Sequence, residues 1–293
     1  MLEALKLAEK GRYSAAPNPM VGCVIVKNNQ IIGRGWHERP GTPHAEILAL
    51  QEAGANAKGA ALYVNLEPCS HYGRTGPCAD ALIEAGIAEA HFPFIDPNPL
   101  VAGKGLKKLE AAGIKVIVGE ARQEARELNE AFLHYIASKR PFVIAKWAMS
   151  LDGRLVTHSS DSRQISNKES QAHLHHIRQS VTAILVGSET AKKDDPRLNV
   201  RLPDVKRHPL RIVLNASADL PLDLKLFTDK LPGQTIVVTS EQAPFEYCRQ
   251  LKSRGVEVLQ LALDSEGKID LNALLDELGR RGLSSLLVEG GGR

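Results

Sequence analysis

Residues 67–78 read EPCSHYGRTGPC, a loop rich in Gly and Pro that holds two of the chain's four cysteines, each directly after a proline. Just before it, ALYVNLEP (61–68) has the apolar and aromatic composition of a strand, and just after it CADALIEAG (78–86) has that of a helix. Working outward, VGCVIVKNNQIIGRGW (21–36) reads as a hairpin turning at Asn28-Asn29, and HAEILALQEAG (44–54) as a helix stopped by Gly54. Downstream come the strand EAHFPFID (89–96), the helix GKGLKKLEAAG (103–113), the strand KVIVGE (115–120) and one long helix from Ala121 to about Ser138. Strand–helix alternation of this kind predicts an α/β fold, a three-layer sandwich with the strands covered on both faces.

Lys139-Arg140-Pro141 marks a boundary, because the proline ends the helix and the strand FVIAKWAMS (142–150) begins at once. The expected domains are therefore 1–140 and 141–293. The second repeats the α/β rhythm: a helix from about Asn167 to Gln179, the strands AILVG, RIVLN and TIVVTS, a helix around Tyr247, the strand VEVLQL, the helix DLNALLDELGRRG, and finally SSLLVEGGGR.

The 293 residues suffice for two domains, and 43% hydrophobic with 24% charged residues is the composition of a soluble globular protein. A net charge of +3, from 37 basic against 34 acidic residues, gives no broad nucleic-acid or membrane footprint. The opening MLEALKLAEKG, with Glu3 and Glu9, lacks the apolar core of a signal peptide, and no run reaches the length of a membrane span. The expected compartment is the cytoplasm, where stable disulfides are rare. Cys69 and Cys78 thus call for another reason.

His44 and Glu46 open the helix at 44–54. One His and two Cys make three borderline-soft ligands, the number a catalytic zinc site uses alongside a water. Glu46 is then the unligated carboxylate that handles protons, which is the pattern of a zinc deaminase. His44 and Cys78 both fall at expected helix N-termini, which favour a thiolate or a metal-bound hydroxide. The strand at 61–68 delivers Cys69 from the carboxyl end of the sheet. A structural zinc site would recruit a fourth ligand, for which His71 is available. Cys23 and Cys248 read as buried small hydrophobes, the HLHH run (His173, His175, His176) as a solvated helix face, and AKKDDP (191–196) as a charged turn.

Deaminase motifs usually space their cysteines as P-C-x-x-C, whereas here eight residues intervene. The longer PCSHYGRTGPC, with APNPMVGCVIV upstream and DPNPLVAGKGL downstream, closely resembles the bifunctional riboflavin-biosynthesis deaminase/reductase family. The resemblance continues through KWAMSLDGRL, ILVGSETAKKDDPRLNVR and LLVEGGG, nearly end to end. It implies a cytidine-deaminase-like first domain and a dihydrofolate-reductase-like second one. It also implies zinc and NADPH as cofactors and a phosphorylated pyrimidine as substrate.

By that resemblance zinc is held by His44, Cys69 and Cys78, with Glu46 catalytic. Asn18, His37, His71 and Arg74 then hold the pyrimidine and its ribose phosphate. In the second half Ala148, Gln164, Thr190, Asp194 and Gly291 face the NADPH, while Ser162, Arg178, Leu198, Arg201 and Glu289 face the substrate. Arg74, Arg178 and Arg201 have a physical rationale, since a guanidinium matches phosphate oxygens two at a time. No G-x-G-x-x-G run follows the first strand of this half, but Gly290-Gly291-Gly292 follows the strand SSLLVE.

Two departures from the family are visible. Gln164 stands where a Trp is usual, and the family's chains run on past VEGGG, so the reductase domain is expected to be incomplete at its C-terminus and its activity impaired. Association of copies through the reductase domain is also a family habit. A nucleic-acid base deaminase would want stacking aromatics, against 4% here, and a basic groove. A zinc-stabilised scaffold without catalysis would want four protein ligands.

Overall fold

The computed structural model describes residues 1–72, 76–153 and 166–290. Arg74, Ser162, Gln164 and Gly291, all expected in binding sites, lie outside the described residues. The chain divides into two compact units, Met1–Ser138 and Lys139–Arg293. Among the described residues no helix is long and apolar enough to cross a membrane.

In the first unit α1 (Leu2–Glu9) leads to the hairpin β1 (Gly22–Lys27) and β2 (Gln30–Trp36), then α2 (Ala45–Ala53) and β3 (Ala61–Val64). α3 (Cys78–Glu84), β4 (Glu89–Phe92), α4 (Lys104–Ala111) and β5 (Lys115–Val118) follow. The expected hairpin turn forms with Asn28 and Asn29 both at positive φ, the backbone that a two-residue hairpin needs and that Asn tolerates. The sheet runs β2-β1-β3-β4-β5, with β1 antiparallel to both neighbours and β3, β4 and β5 parallel.

Side chains alternate along each strand as the pleat dictates. Cys23, Ile25, Leu62 and Val64 pack with Ala45 and Ala49 of α2 and Leu82 of α3, whereas Val24 and Tyr63 pack with Ala4 and Leu7 of α1. Where one long helix was expected after Ala121, the structure has α5 (Arg122–Leu128) and α6 (Glu130–Ser138), broken at Asn129.

The helix that carries the expected catalytic Glu46 lies directly on the sheet. A Cβ added at Gly35 of β2 would lie 2.0 Å from the carbonyl oxygen of Ala45 and 2.8 Å from the amide nitrogen of Ala49. Both are helix backbone, which cannot swing aside. Gly35→Ala is therefore expected to cost about 1–3 kcal/mol by overpacking and to displace the turn bearing His44 and Glu46. Urea unfolding that places the variant at wild-type stability would show that α2 does not need this approach.

The second unit is built from β6 (Phe142–Lys146), α7 (Lys168–Ser180), β7 (Ala183–Gly187), α8 (Ser188–Asp194), β8 (Leu210–Leu214), α9 (Lys225–Thr228) and β9 (Thr235–Ser240). It ends with α10 (Phe245–Ser253), β10 (Glu257–Leu261), α11 (Leu271–Arg280) and β11 (Ser285–Glu289). Its six-stranded sheet has the order β10-β9-β8-β7-β11-β6, and every described pairing between these strands is parallel. Buried parallel strands read as near-continuous apolar runs. Ile184, Val186, Val213 and Val237 face Leu251 of α10 and Phe227 of α9, while Ala183, Leu185, Ile212 and Ile236 face Leu274 and Leu278 of α11.

Candidate active sites in the two units

His44 is the residue that precedes the first turn of α2, in extended conformation, and its carbonyl accepts from the amides of Ile47 and Leu48. Cys69 comes from the loop beyond β3 and Cys78 is the first residue of α3. That loop closes on itself: the Ala79 amide donates to the Cys69 carbonyl at 3.0 Å and the Cys78 amide points at the Cys69 sulfur at 3.4 Å. The result brings His44 Nδ1 to 3.2 Å from Cys78 Sγ and 3.6 Å from Cys69 Sγ. All three ligand atoms lie within 4.8 Å of one another.

The donor chemistry fits zinc. Of the two thiols Cys69 ionises first, held at about 4 by the Cys78 side chain and by His44, while that same bond and burial hold Cys78 high. A bond to Cys69 raises His44 above its ordinary range. Glu46, in the first turn of α2, is 4% exposed and its Oε2 has no hydrogen-bond partner. Burial pushes its carboxyl up, and the nearby Cys69 pushes the same way. A buried carboxylate oxygen left bare is costly, and it is what a proton carrier awaiting a substrate looks like.

Three of the four residues expected around the pyrimidine are described. The Asn18 amide nitrogen lies 3.0 Å from His37 Nε2, and the His37 ring meets the His44 ring edge-on with centroids 5.5 Å apart. Burial lowers His37 and keeps it neutral. His71 Nδ1 is buried with no partner.

Glu67 and Asp96 were not singled out in the sequence. Both Glu67 oxygens are used: Oε2 accepts from the amides of Asp96 and Gly103 at 3.0 Å each, and Oε1 from that of Leu106 at 3.1 Å. The carboxylate thus fastens DPNPLVAGKGL to the strand end that delivers Cys69, and it neutralises the first turn of α4. Burial pushes Asp96 up to about 6, with Glu67, His71 and Cys69 close enough to be felt. The only signal for either was position within motifs quoted for other residues.

In the second unit Arg178 and Glu289 meet in a buried two-pronged ion pair, Nε to Oε1 and Nη2 to Oε2, both 2.7 Å. Arg178 also donates to the Asn199 carbonyl at 3.2 Å, and Arg201 Nη1 donates to Asn199 Oδ1 at 3.0 Å. Burial and the charges of Arg178 and Arg197 lower Arg201, as expected where cations converge. Leu198 is buried in the apolar core of this unit at φ +51°, a conformation a bulky residue rarely takes. Thr190 on α8 lies against Gly290, where an added Cβ would come within 3.1 Å of its hydroxyl. Ala148 is two residues past the end of β6, whose Lys146 pairs in register with Glu289. Asp194 is the exposed last residue of α8.

The solvated reading of HLHH needs correction. His173 and His176 are exposed, but His175 is buried and its Nδ1 accepts from the Arg201 amide at 3.3 Å. Burial, with Arg178 and Arg201 nearby, lowers His175 to about 4. It falls one turn before Arg178 on α7, so the face that buries one buries the other.

Comparison with known proteins adds the following. Residues 1–93 match the cytidine and deoxycytidylate deaminase zinc-binding region, and residues 141–293 match the RibD C-terminal domain. The riboflavin biosynthesis protein RibD of Aquifex aeolicus is 46% identical over 291 residues, covering 99% of this chain and 79% of that protein. That of Escherichia coli is 39% identical over 303 residues, covering 99% and 80%. The solved Acinetobacter baumannii RibD superposes with a TM-score of 0.87 at 38% identity, over 99% of this chain and 79% of that one. A Thermotoga maritima diaminohydroxyphosphoribosylaminopyrimidine deaminase/5-amino-6-(5-phosphoribosylamino)uracil reductase does so at 0.86 and 38%, over 99% and 80%.

Proposed function

The chain belongs to the RibD family of riboflavin-biosynthesis proteins, and from that premise we propose how its residues divide a deamination and a reduction between the two units. The first unit hydrolyses the 2-amino group from a diaminopyrimidinone bearing a ribosylamino phosphate. The second reduces the ribosyl group of the product to ribityl. The observation that carries the first assignment is the convergence of His44, Cys69 and Cys78 within 4.8 Å, with the bare Glu46 oxygen buried on the same helix as His44.

His44, Cys69 and Cys78 would hold zinc, which lowers the pKa of water so that hydroxide is available near neutral pH. Glu46 takes the proton from the attacking water and hands it to the departing amine, a transfer that its raised pKa favours. Asn18, His37 and His71 orient the ring, the neutral His37 acting as a hydrogen-bonding group and not as a charge. Arg74 takes the phosphate.

In the second unit NADPH, when bound, would supply the hydride. The close approach of Gly290 to Thr190 leaves a side-chain-free backbone after β11, at the carboxyl end of a parallel sheet, where α/β folds bind ligands. Ala148, Gln164, Thr190, Asp194 and Gly291 would line the cofactor. Arg178, fixed by Glu289, presents the substrate face with Ser162, Leu198 and Arg201. All four cysteines are free, which suits the reducing cytoplasm.

The test is ammonia release from the diaminopyrimidinone phosphate, with zinc measured on the same samples. Wild type should contain zinc and release ammonia, and Cys78→Ser should lose both. Turnover by thoroughly chelated protein would overturn the assignment.

A further inference from the structure

We propose that Asn129 is a positioning residue for the deamination, setting the place of Asn18 through the backbone of Met20. This rests on the reading of Asn18 as a substrate contact. Asn129 interrupts the helical run after Ala121, and at 2% exposure its side chain is turned inward. Its Oδ1 accepts from the Met20 amide at 2.8 Å and its Nδ2 donates to the Met20 carbonyl at 2.9 Å. One side-chain amide thus matches both backbone groups of one residue, as a neighbouring strand would, across 109 positions of sequence.

Asn65, fully buried, completes the grip. Its Nδ2 donates to the same Met20 carbonyl at 2.9 Å, and its Oδ1 accepts from the Gly22 amide at 2.8 Å where β1 begins. Asn18 lies two residues before Met20, and its amide reaches His37 Nε2 at 3.0 Å. The His37 amide in turn donates to the Val21 carbonyl at 2.8 Å. Residues 18 to 22 are therefore not free to choose their own conformation, and the Asn18–His37 pair inherits its geometry from Met20. An Asp at 129 lacks the donor and a Leu lacks both groups, so the site calls for an amide.

A purely structural Asn129 would tie α5 and α6 to the sheet without touching specificity. A cycle of Asn129→Ala, Asn18→Ala and the double variant separates the two, with kcat, KM for the diaminopyrimidinone phosphate and zinc content read on each. Asn129→Ala should raise KM roughly tenfold, within the range coupled neighbours show, with zinc retained and kcat nearly unchanged. The double variant should be no worse than Asn18→Ala alone. An unchanged KM in Asn129→Ala, or effects that multiply in the double variant, overturns the proposal and leaves the role of Asn18 standing. An unchanged KM in Asn18→Ala removes the substrate reading of Asn18 itself. Should Asn129→Ala fail to fold, Asn129→Asp keeps the acceptor for the Met20 amide and carries the same cycle.

Discussion

Glu46→Gln should lower kcat for ammonia release by roughly 10²- to 10⁴-fold, the range that a positioned proton carrier supplies, while zinc content stays at the wild-type level. His44, Cys69 and Cys78 are untouched, so a metal held by them has no reason to leave. Stability should not fall either. Glu46 is buried with one oxygen bare, and burial already disfavours its charge. A neutral isostere relieves that cost, as often happens where a site holds a group for chemistry at the expense of the fold. A loss of less than about tenfold would mean that the proton is carried elsewhere. Loss of zinc together with activity would make Glu46 a ligand or a support for one.

Glu289→Gln should destabilise the second unit by about 3–5 kcal/mol, because it leaves the Arg178 guanidinium buried without its counter-charge. The pair is 9% and 10% exposed, so water screens it little. Replacing both members, Arg178→Met with Glu289→Leu, should cost far less, since desolvation is removed along with attraction. Trp147 is the second unit's tryptophan and Trp36 the first's, so a Trp36→Phe background lets urea unfolding be followed in the second unit alone. A loss near 1 kcal/mol for Glu289→Gln, typical of a surface pair, would show that the pair is hydrated in solution.

The cluster of His44, Cys69 and Cys78, with Glu46 beside it, was legible because such a site depends on residue type at short spacing, with H-x-E at a helix start and the two thiols flanking one loop. The hairpin was legible because Asn28-Asn29 has few other uses between two apolar runs. Other features depend on partners far along the chain. Asn129 falls in ARELNEAFL, where nothing local says that the helix must break. Its reason is Met20, 109 residues earlier. Glu67 reads as part of the cysteine motif, and its three amide partners appear only once DPNPLVAGKGL folds against it. His175 was hidden by its exposed neighbours in a histidine run, although its one-turn spacing from Arg178 was a usable sign.

The strand order of the second sheet has a consequence for biosynthesis. β6 is made first, yet its described neighbour is β11, which also separates it from β7. Roughly 140 residues lie between Lys146 and Ser285, so at about 5–20 residues per second the nascent β6 waits some 7–28 s for its neighbour to be translated. During that time Phe142, Val143 and Ile144 stand on the ribosome with an unpaired backbone edge, beside a first unit already free to fold. The waiting strand is a natural client for a chaperone, and synonymous codon changes that slow translation between β6 and β11 act on the yield of the second unit while sparing the first.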